Sequence, residues 1–307
     1  MTSQENAIVV CASGNWLPYA ATTLWSCVDK GGQGSSALYL VTYETSSQQT
    51  ATAKAFFERR KIAVTIINAD LSAELKRVQT GRFSTATMLR LTLDQLVPAN
   101  HKRLLYLDSD TLVMRDLDPL FTMDMKGKSI AASEDYISLT GLMSTLVDYP
   151  RKIGMARHDR YFNAGVILFD WPKTIREGRL SRCIQRLIAA AASGKPLRFH
   201  DQDALNLEFE RDWIECGAIY NFMAFKSELC NDHPVIRHFN SRNKPWGGVW
   251  IPQIGYFKKN YLEALSGTSY EQAVSKKFRT ASIAEIFEYL NRKFIIWSGL
   301  RRLENSF

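Results

Sequence analysis

Apolar runs at 7–12, 37–43 and 63–68 punctuate the first quarter of the chain, each bounded by polar residues. Short continuous apolar runs of this kind read as strands buried on both faces. Between them the spacing predicts helices over 18–28 and 48–61, the first preceded by a polar turn at Ser13, Gly14 and Asn15. Strand and helix in alternation predict a mainly parallel sheet flanked by helices. Met88, Leu89, Leu91, Leu93 and Leu96 then recur at helical spacing within 84–96. A strand over 103–107, another over 166–169 and an amphipathic helix over 181–192 follow. Ligands of such open sheets gather beyond the carboxyl ends of the strands.

Composition narrows the class. The chain has 307 residues, 46% hydrophobic and 23% charged, which suits a globular protein with a full core and excludes a disordered one. Cys11, Cys27, Cys183, Cys216 and Cys230 are odd in number and form no C-x-x-C, which argues against a zinc ribbon or a disulfide framework and for a reducing compartment. The start, 1–6, has no basic secretory signal, and no run reaches the roughly 20 apolar residues of a membrane span, so a cytoplasmic location is expected.

Net charge is +8, from 39 Lys and Arg against 31 Asp and Glu, and favours anionic partners: nucleotides, nucleic acid or an acidic membrane face. It is unevenly placed. Over 258–307 there are nine Lys or Arg against five Glu, interleaved with Phe278, Ile283, Phe287, Leu290 and Trp297. Two readings fit that tail: an interfacial helix docked on anionic lipid at the inner face of the plasma membrane, or a helix packed on the protein with a solvated basic face. The division expected is a catalytic domain over 1–255 and a helical basic and aromatic tail over 256–307.

The candidate chemistry centres on Leu104-Leu105-Tyr106-Leu107-Asp108-Ser109-Asp110. Alternation in an extended segment brings Asp108 and Asp110 out on one side, where oxygen ligands suit Mn²⁺ or Mg²⁺. A turn after a strand is the plainer alternative. A second D-x-D, Asp116-Leu117-Asp118, lies before Pro119 and suits a turn better than a metal site. Four further constellations need a reason. In Phe162-Asn163-Ala164-Gly165, small residues admit a close ligand and Asn163 offers donor and acceptor. His200-Asp201-Gln202-Asp203 precedes a helical stretch, where Asp201 is either an N-cap or a ligand-facing group. His238 and Lys244 offer an imidazole and a cation six residues apart, and Arg90 alone reads as an exposed charge.

Taken in order, these segments resemble glycosyltransferase family 8, in particular its bacterial lipopolysaccharide galactosyl- and glucosyltransferases. Asp108-Ser109-Asp110 matches the family's D-x-D, Phe162-Asn163-Ala164-Gly165 its F-N-A-G, and Asp201-Gln202-Asp203-Ala204-Leu205-Asn206 its D-Q-D-x-L-N. His238 through Lys244-Pro245-Trp246 matches its H-x-x-G-x-x-K-P-W. The resemblance implies an α/β, GT-A-type nucleotide-diphospho-sugar transferase fold, Rossmann-like, with a mainly parallel mixed sheet. It implies Mn²⁺ (or Mg²⁺) on Asp108, Asp110 and His238. Around a UDP-sugar donor it implies Asn15, Trp16, Arg90, Asp108, Ser109, Asp110, Asp135, Asn163, Ala164, Gly165, Asp201, Gln202, His238, Ser241 and Lys244. Gln202, Asp201 and Lys244 are the residues implied for catalysis. The activity implied is retaining transfer of glucose or galactose to a glycan or lipid-linked saccharide in lipopolysaccharide or other surface polysaccharide synthesis.

Retention admits two routes, same-face attack or double displacement through an enzyme nucleophile, and the amide of Gln202 favours the first. Two departures from the family pattern stand out. Ala12-Ser13-Gly14-Asn15-Trp16 lacks the family's acid, and Ser241 replaces its glycine. A nucleotide- or nucleic-acid-binding protein without transfer activity, or a degenerate transferase, is the alternative; nucleic acid is not the expected partner.

Overall fold

Strands β1 (Asn6–Ser13), β2 (Ala37–Tyr43), β3 (Thr65–Ala69), β4 (Arg103–Asp108), β6 (Ile130–Glu134), β7 (Phe162–Asp170) and β8 (Trp213–Glu215) form one sheet in the order β3-β2-β1-β4-β7-β6-β8. A smaller sheet joins β5 (Thr111–Val113), β10 (Ile236–His238) and β9 (Phe222–Met223) in the order β5-β10-β9. The computed structural model describes residues 5–78, 85–135, 149–156, 160–223, 233–240, 244–247 and 252–274, with positions 283, 287 and 290.

β1 pairs in parallel with β2 and β4, and β2 with β3, as the strand–helix alternation predicts. β7 runs antiparallel to both β4 and β6, so the sheet is mixed. Period-two alternation sends each strand to two cores. Ala7, Val9, Cys11, Leu104 and Tyr106 join one apolar cluster; Ile8, Val10, Ala12, Leu105 and Leu107 join the other. α1 (Leu17–Asp29) and α2 (Ser47–Arg60) cover the second face. α1 begins with a proline in its first turn, where the missing N–H costs nothing. α2 carries a capping box between Ser46 and Gln49. α3 (Arg179–Ala192) and α4 (His200–Phe209) cover the first face.

Two elements differ from the sequence reading. The helical spacing over 84–96 resolves into a 3₁₀ run, Thr85–Thr92, followed by a short α-helix, Leu93–Leu96. Side chains there bond carbonyls three residues back: Thr92 Oγ1 donates to Leu89 O at 2.9 Å and Arg90 Nε to Thr87 O at 3.0 Å. Such bonds compete with the α-helical ladder. The second difference is β7, which begins at Phe162, so Asn163, Ala164 and Gly165 lie inside a strand and not in a loop before it.

α5 (Pro252–Leu265) lies against α1. Tyr261, Leu265, Tyr270 and Val274 enter the second core, and the guanidinium of Arg60 donates to the carbonyl of Ala264 at 2.9 Å, tying α2 to the end of α5. No helix among the described residues is long and apolar enough to cross a membrane. Cys11, Cys27, Cys183 and Cys216 are buried free thiols; Cys230 lies outside the described residues.

Candidate functional site

β4 ends at Asp108, Ser109 and Asp110 form a turn, and β5 begins at Thr111. That turn, and not extended alternation, brings the two carboxylates together, with Thr111 Oγ1 donating to Asp108 O at 2.8 Å. β10 lies antiparallel to β5 with His238 opposite Thr111, which carries the distant histidine back beside the aspartates. His238 Nε2 lies 3.2 Å from Asp110 Oδ1 and 3.7 Å from Asp108 Oδ2. One ligand atom from each of the three residues falls within 4.8 Å of the others.

The donor set fits a hard divalent cation. Two carboxylates and one imidazole suit Mn²⁺ or Mg²⁺ with positions left for a diphosphate. Cys11 is opposite Asp108 in the β1–β4 register, but burial pushes its thiol up to about 12, so it contributes no thiolate. Gly165 forms the cradle. A Cβ there would lie 2.2 Å from His238 Cε1, 2.8 Å from its Nδ1 and 2.9 Å from Asp108 Oδ2, so only a bare backbone lets the ring approach.

Each aspartate has its own cation. Lys244 Nζ lies 2.5 Å from Asp110 Oδ2 and also donates to Phe239 O. Burial works to raise the Asp110 carboxyl, yet the ammonium of Lys244 is the largest influence against it, and the group is held well below the ordinary carboxylate range. Arg90, expected as an exposed charge, is buried and bridges two acids: Nη2 sits 2.8 Å from Asp108 Oδ1 and Nε 2.8 Å from Asp201 Oδ2. Its Nη1 donates to Ala164 O at 2.6 Å, and the guanidinium lies over the Tyr106 ring. Tyr106 donates its hydroxyl to Asp108 Oδ1 at 2.7 Å. Burial raises Asp201, with Arg90 opposing.

Asp201 is not an N-cap. The helix cap is Phe199, and Asp201 stands inside the first turn, aimed at Arg90. His200 before it takes φ +42, a left-handed conformation rare outside glycine. Asp203 anchors this helix start, accepting from Tyr149 and Tyr161 hydroxyls at 2.5 Å and from the Phe199 amide at 2.8 Å. Asn206 grips β7, meeting both N and O of Phe162 at 2.8 Å. Gln202 is thereby set against β7: its Oε1 accepts from Ala164 N at 3.0 Å and its Nε2 donates to Asp135 Oδ2 at 3.3 Å.

Asn163 donates to Asp135 Oδ2 at 2.8 Å and accepts from Gly165 N at 3.0 Å. Asn221 Nδ2 donates to the same Asn163 oxygen at 2.9 Å, and Asn221 Oδ1 meets His238 Nδ1 at 2.8 Å. Sequence reasoning misses Asn221, although an amide inside Ile219-Tyr220-Asn221-Phe222-Met223 is a polar group in an apolar run. At the edge of the site, Asn15 and Trp16 lie in the 3₁₀ turn Gly14–Trp16 after β1. Trp16 meets Trp246 edge-on, with Lys244 Nζ 5.7 Å from its ring centre. Ser241 and most of the loop 136–159 lie outside the described residues. Asp116 accepts from the Asp118 amide at 3.0 Å and Asp118 from Gln33 at 2.6 Å, the turn expected of that second D-x-D.

The family model described as "Glycosyl transferase family 8" matches residues 7–249. Glycosyltransferase GlyF of Streptococcus pneumoniae serotype 4 is 31% identical over 201 residues, 62% of this chain and 45% of GlyF, so the chain spans less than half of that relative. Lipopolysaccharide 1,2-glucosyltransferase of Escherichia coli K12 is 24% identical over 216 residues, 66% of this chain and 61% of the relative. Among solved structures, the galactosyltransferase LgtC in complex with donor and acceptor sugar analogs superposes with TM-score 0.72 at 20% identity, covering 87% of this chain and 99% of LgtC. That likeness shows a GT-A-type fold.

Proposed function

The chain belongs to glycosyltransferase family 8, and from that premise we propose that it is a metal-dependent retaining hexosyltransferase, moving glucose or galactose from a UDP-sugar to a glycan or glycolipid acceptor. The observation that carries this reading is the meeting of Asp108, Asp110 and His238 beside the Arg90–Asp201–Gln202 network at the carboxyl end of β4.

Asp108, Asp110 and His238 would hold the divalent cation, which when bound neutralises the charge that develops on a departing nucleoside diphosphate. Lys244, held beside Asp110, would add a positive charge toward the same phosphates. Arg90 bridges Asp108 and Asp201 and keeps both carboxylates compensated. Asn163, Asp135 and Gln202 present a bonded polar wall to the sugar.

The same wall favours same-face transfer. Asp201 is tied to Arg90 and Asp135 to the amides of Asn163 and Gln202, so each carboxylate beside Gln202 is engaged. The Gln202 amide is a weak nucleophile and suits stabilisation of an oxocarbenium-like centre, with the leaving diphosphate taking the acceptor proton. The E. coli lipopolysaccharide relative supports a surface-glycan acceptor. Ile283, Phe287 and Leu290 are helical, 76%, 68% and 52% exposed, and supply an apolar stripe within the basic tail for contact with an anionic membrane face.

The test is turnover of a panel of UDP-sugars with and without Mn²⁺, with the product anomer read by NMR. Asp110→Ala is expected to lose at least about 100-fold in turnover while keeping its melting temperature within a few degrees. Mn²⁺-dependent transfer that survives in this variant rejects the assignment, and absence of turnover on every donor points to the degenerate reading.

A further inference from the structure

We propose that Asn221 is a positioning residue for His238: it keeps the imidazole hydrogen on Nδ1, so that Nε2, on the side of Asp108 and Asp110, is the nitrogen whose lone pair is offered to a cation held by the three residues. The inference rests on the reading of those three residues as a cation site. It stands on a chain of hydrogen-bonded side chains whose donor and acceptor roles cannot be exchanged.

The direction is set by groups with one role only. The Gly165 amide can only donate, so the Asn163 atom 3.0 Å from it is the oxygen. That leaves the Asn163 amino group for Asp135 Oδ2, at 2.8 Å. The Ala164 amide likewise fixes Gln202 with Oε1 toward β7 and Nε2 toward the same Asp135 oxygen. Because the Asn163 oxygen accepts, the Asn221 atom 2.9 Å away must be its amino group. Asn221 therefore turns its own oxygen to His238 Nδ1, at 2.8 Å, and Nδ1 must carry the hydrogen. Nε2 is left facing Asp110 and Asp108.

The part of this chain that reaches the imidazole is buried: Asn163 is 6% exposed, Asn221 wholly buried and His238 2% exposed. Backbone pairing holds the two ends in place, since β9, which starts at the residue after Asn221, is paired with β10 through Met223 and His238. A ring in the opposite tautomer would set its unprotonated Nδ1 against an amide oxygen and lose its lone pair for the ion. Asn221 acts through His238 and touches no aspartate in the described contacts.

The test measures Mn²⁺ affinity by electron paramagnetic resonance of the free ion, with and without UDP. Asn221→Ala is expected to weaken Mn²⁺ at least about 10-fold. Asn221→Asp keeps an oxygen on Nδ1 but gives up the donor to the Asn163 oxygen, and is expected to recover part of that loss, which a packing role would not produce. In a His238→Ala background, Asn221→Ala should cause no further loss, because the two residues act as one unit. Unchanged affinity in Asn221→Ala, no recovery in Asn221→Asp, or the full loss recurring in the His238→Ala background overturns the proposal. Melting temperatures of each variant identify a merely unfolded protein, and Asn221→Asp then carries the comparison. Wild-type protein that takes up no Mn²⁺ in either condition defeats the cation site itself, whereas normal uptake insensitive to Asn221 defeats only the positioning role of that amide.

Discussion

The ammonium of Lys244 stands 2.5 Å from Oδ2 of Asp110, so one of the three candidate ligands is already neutralised from within the chain. Arg90 does the same for Asp108 at 2.8 Å. A divalent cation alone must displace or share these partners. A nucleoside diphosphate arriving with it offers Lys244 a second anion.

Lys244→Met should therefore act in opposite directions on two equilibria. Mn²⁺ alone is expected to bind about three- to tenfold more tightly, since Asp110 is released from its internal partner. The Mn²⁺–UDP pair is expected to bind about tenfold more weakly, since a phosphate contact is lost. Isothermal titration with and without UDP reads both; losses of equal size in the two titrations are the contrary result.

Gly165→Ala should disable the site by crowding. Its methyl would stand 2.2 Å from His238 Cε1, and the neighbours are a strand and a buried ring with no slack. A destabilisation of about 1–3 kcal/mol in urea unfolding is expected, as for overpacked cores. Mn²⁺ affinity should fall about 10-fold or more, as the ring is pushed from Asp108 and Asp110. Wild-type affinity in this variant contradicts the packing described.

Asp212 sets a pH dependence far from the cation site. It is partly buried, which works to raise its carboxyl, but Ser129, Lys173 and Arg179 together hold it below its ordinary value of 3.8. A group with a depressed folded value stabilises the protein above its unfolded value and loses that contribution as pH falls through the folded one. Asp212→Asn should accordingly destabilise at pH 7 and cost progressively less below about pH 4. Urea unfolding of both proteins between pH 3 and 7 checks the sign; a difference that grows on acidification opposes it.

The tail offers a separate measurement. Ile283, Phe287 and Leu290 are each helical and exposed, and their separations of four and three residues match the spacing of one helix face. Replacing all three with Glu should lower partitioning onto phosphatidylglycerol-containing vesicles at least about tenfold and leave UDP-sugar turnover on a soluble acceptor intact. Equal partitioning of the two proteins removes the membrane contact from the proposal.

Much of this architecture is legible in the residues. β2 spans the predicted 37–43, and the predicted helices over 18–28 and 48–61 appear as Leu17–Asp29 and Ser47–Arg60, because apolar period and capping residues are local signals. The meeting of Asp108, Asp110 and His238 is legible only through the family resemblance that the ordered motifs carry, since neither spacing nor period links His238 to the aspartates. What stays hidden is pairing at long range. Arg90 looks like a surface charge until two acids from different elements close on it. Asn221 carries no motif, and its meaning depends on the β9–β10 pairing that sets it behind His238. The 3₁₀ form of Thr85–Thr92 reflects side-chain bonds to the backbone that apolar spacing does not encode.

Between the pairs Ala132–Ile167 and Glu134–Phe162 the register of β6 and β7 shifts, and in that stretch Ala164 N is bonded by Gln202 and Ala164 O by Arg90. The groups read as reactive therefore double as main-chain partners for the strand they border. Enzymes commonly become sturdier when a functional side chain is removed, because active centres hold mutually repelling or unsatisfied groups. Here the reverse is built in: clearing Arg90 or Gln202 strands buried peptide groups without partners. A lineage of this protein that abandoned its chemistry would still be obliged to keep both side chains, or to rebuild the start of β7 around their loss.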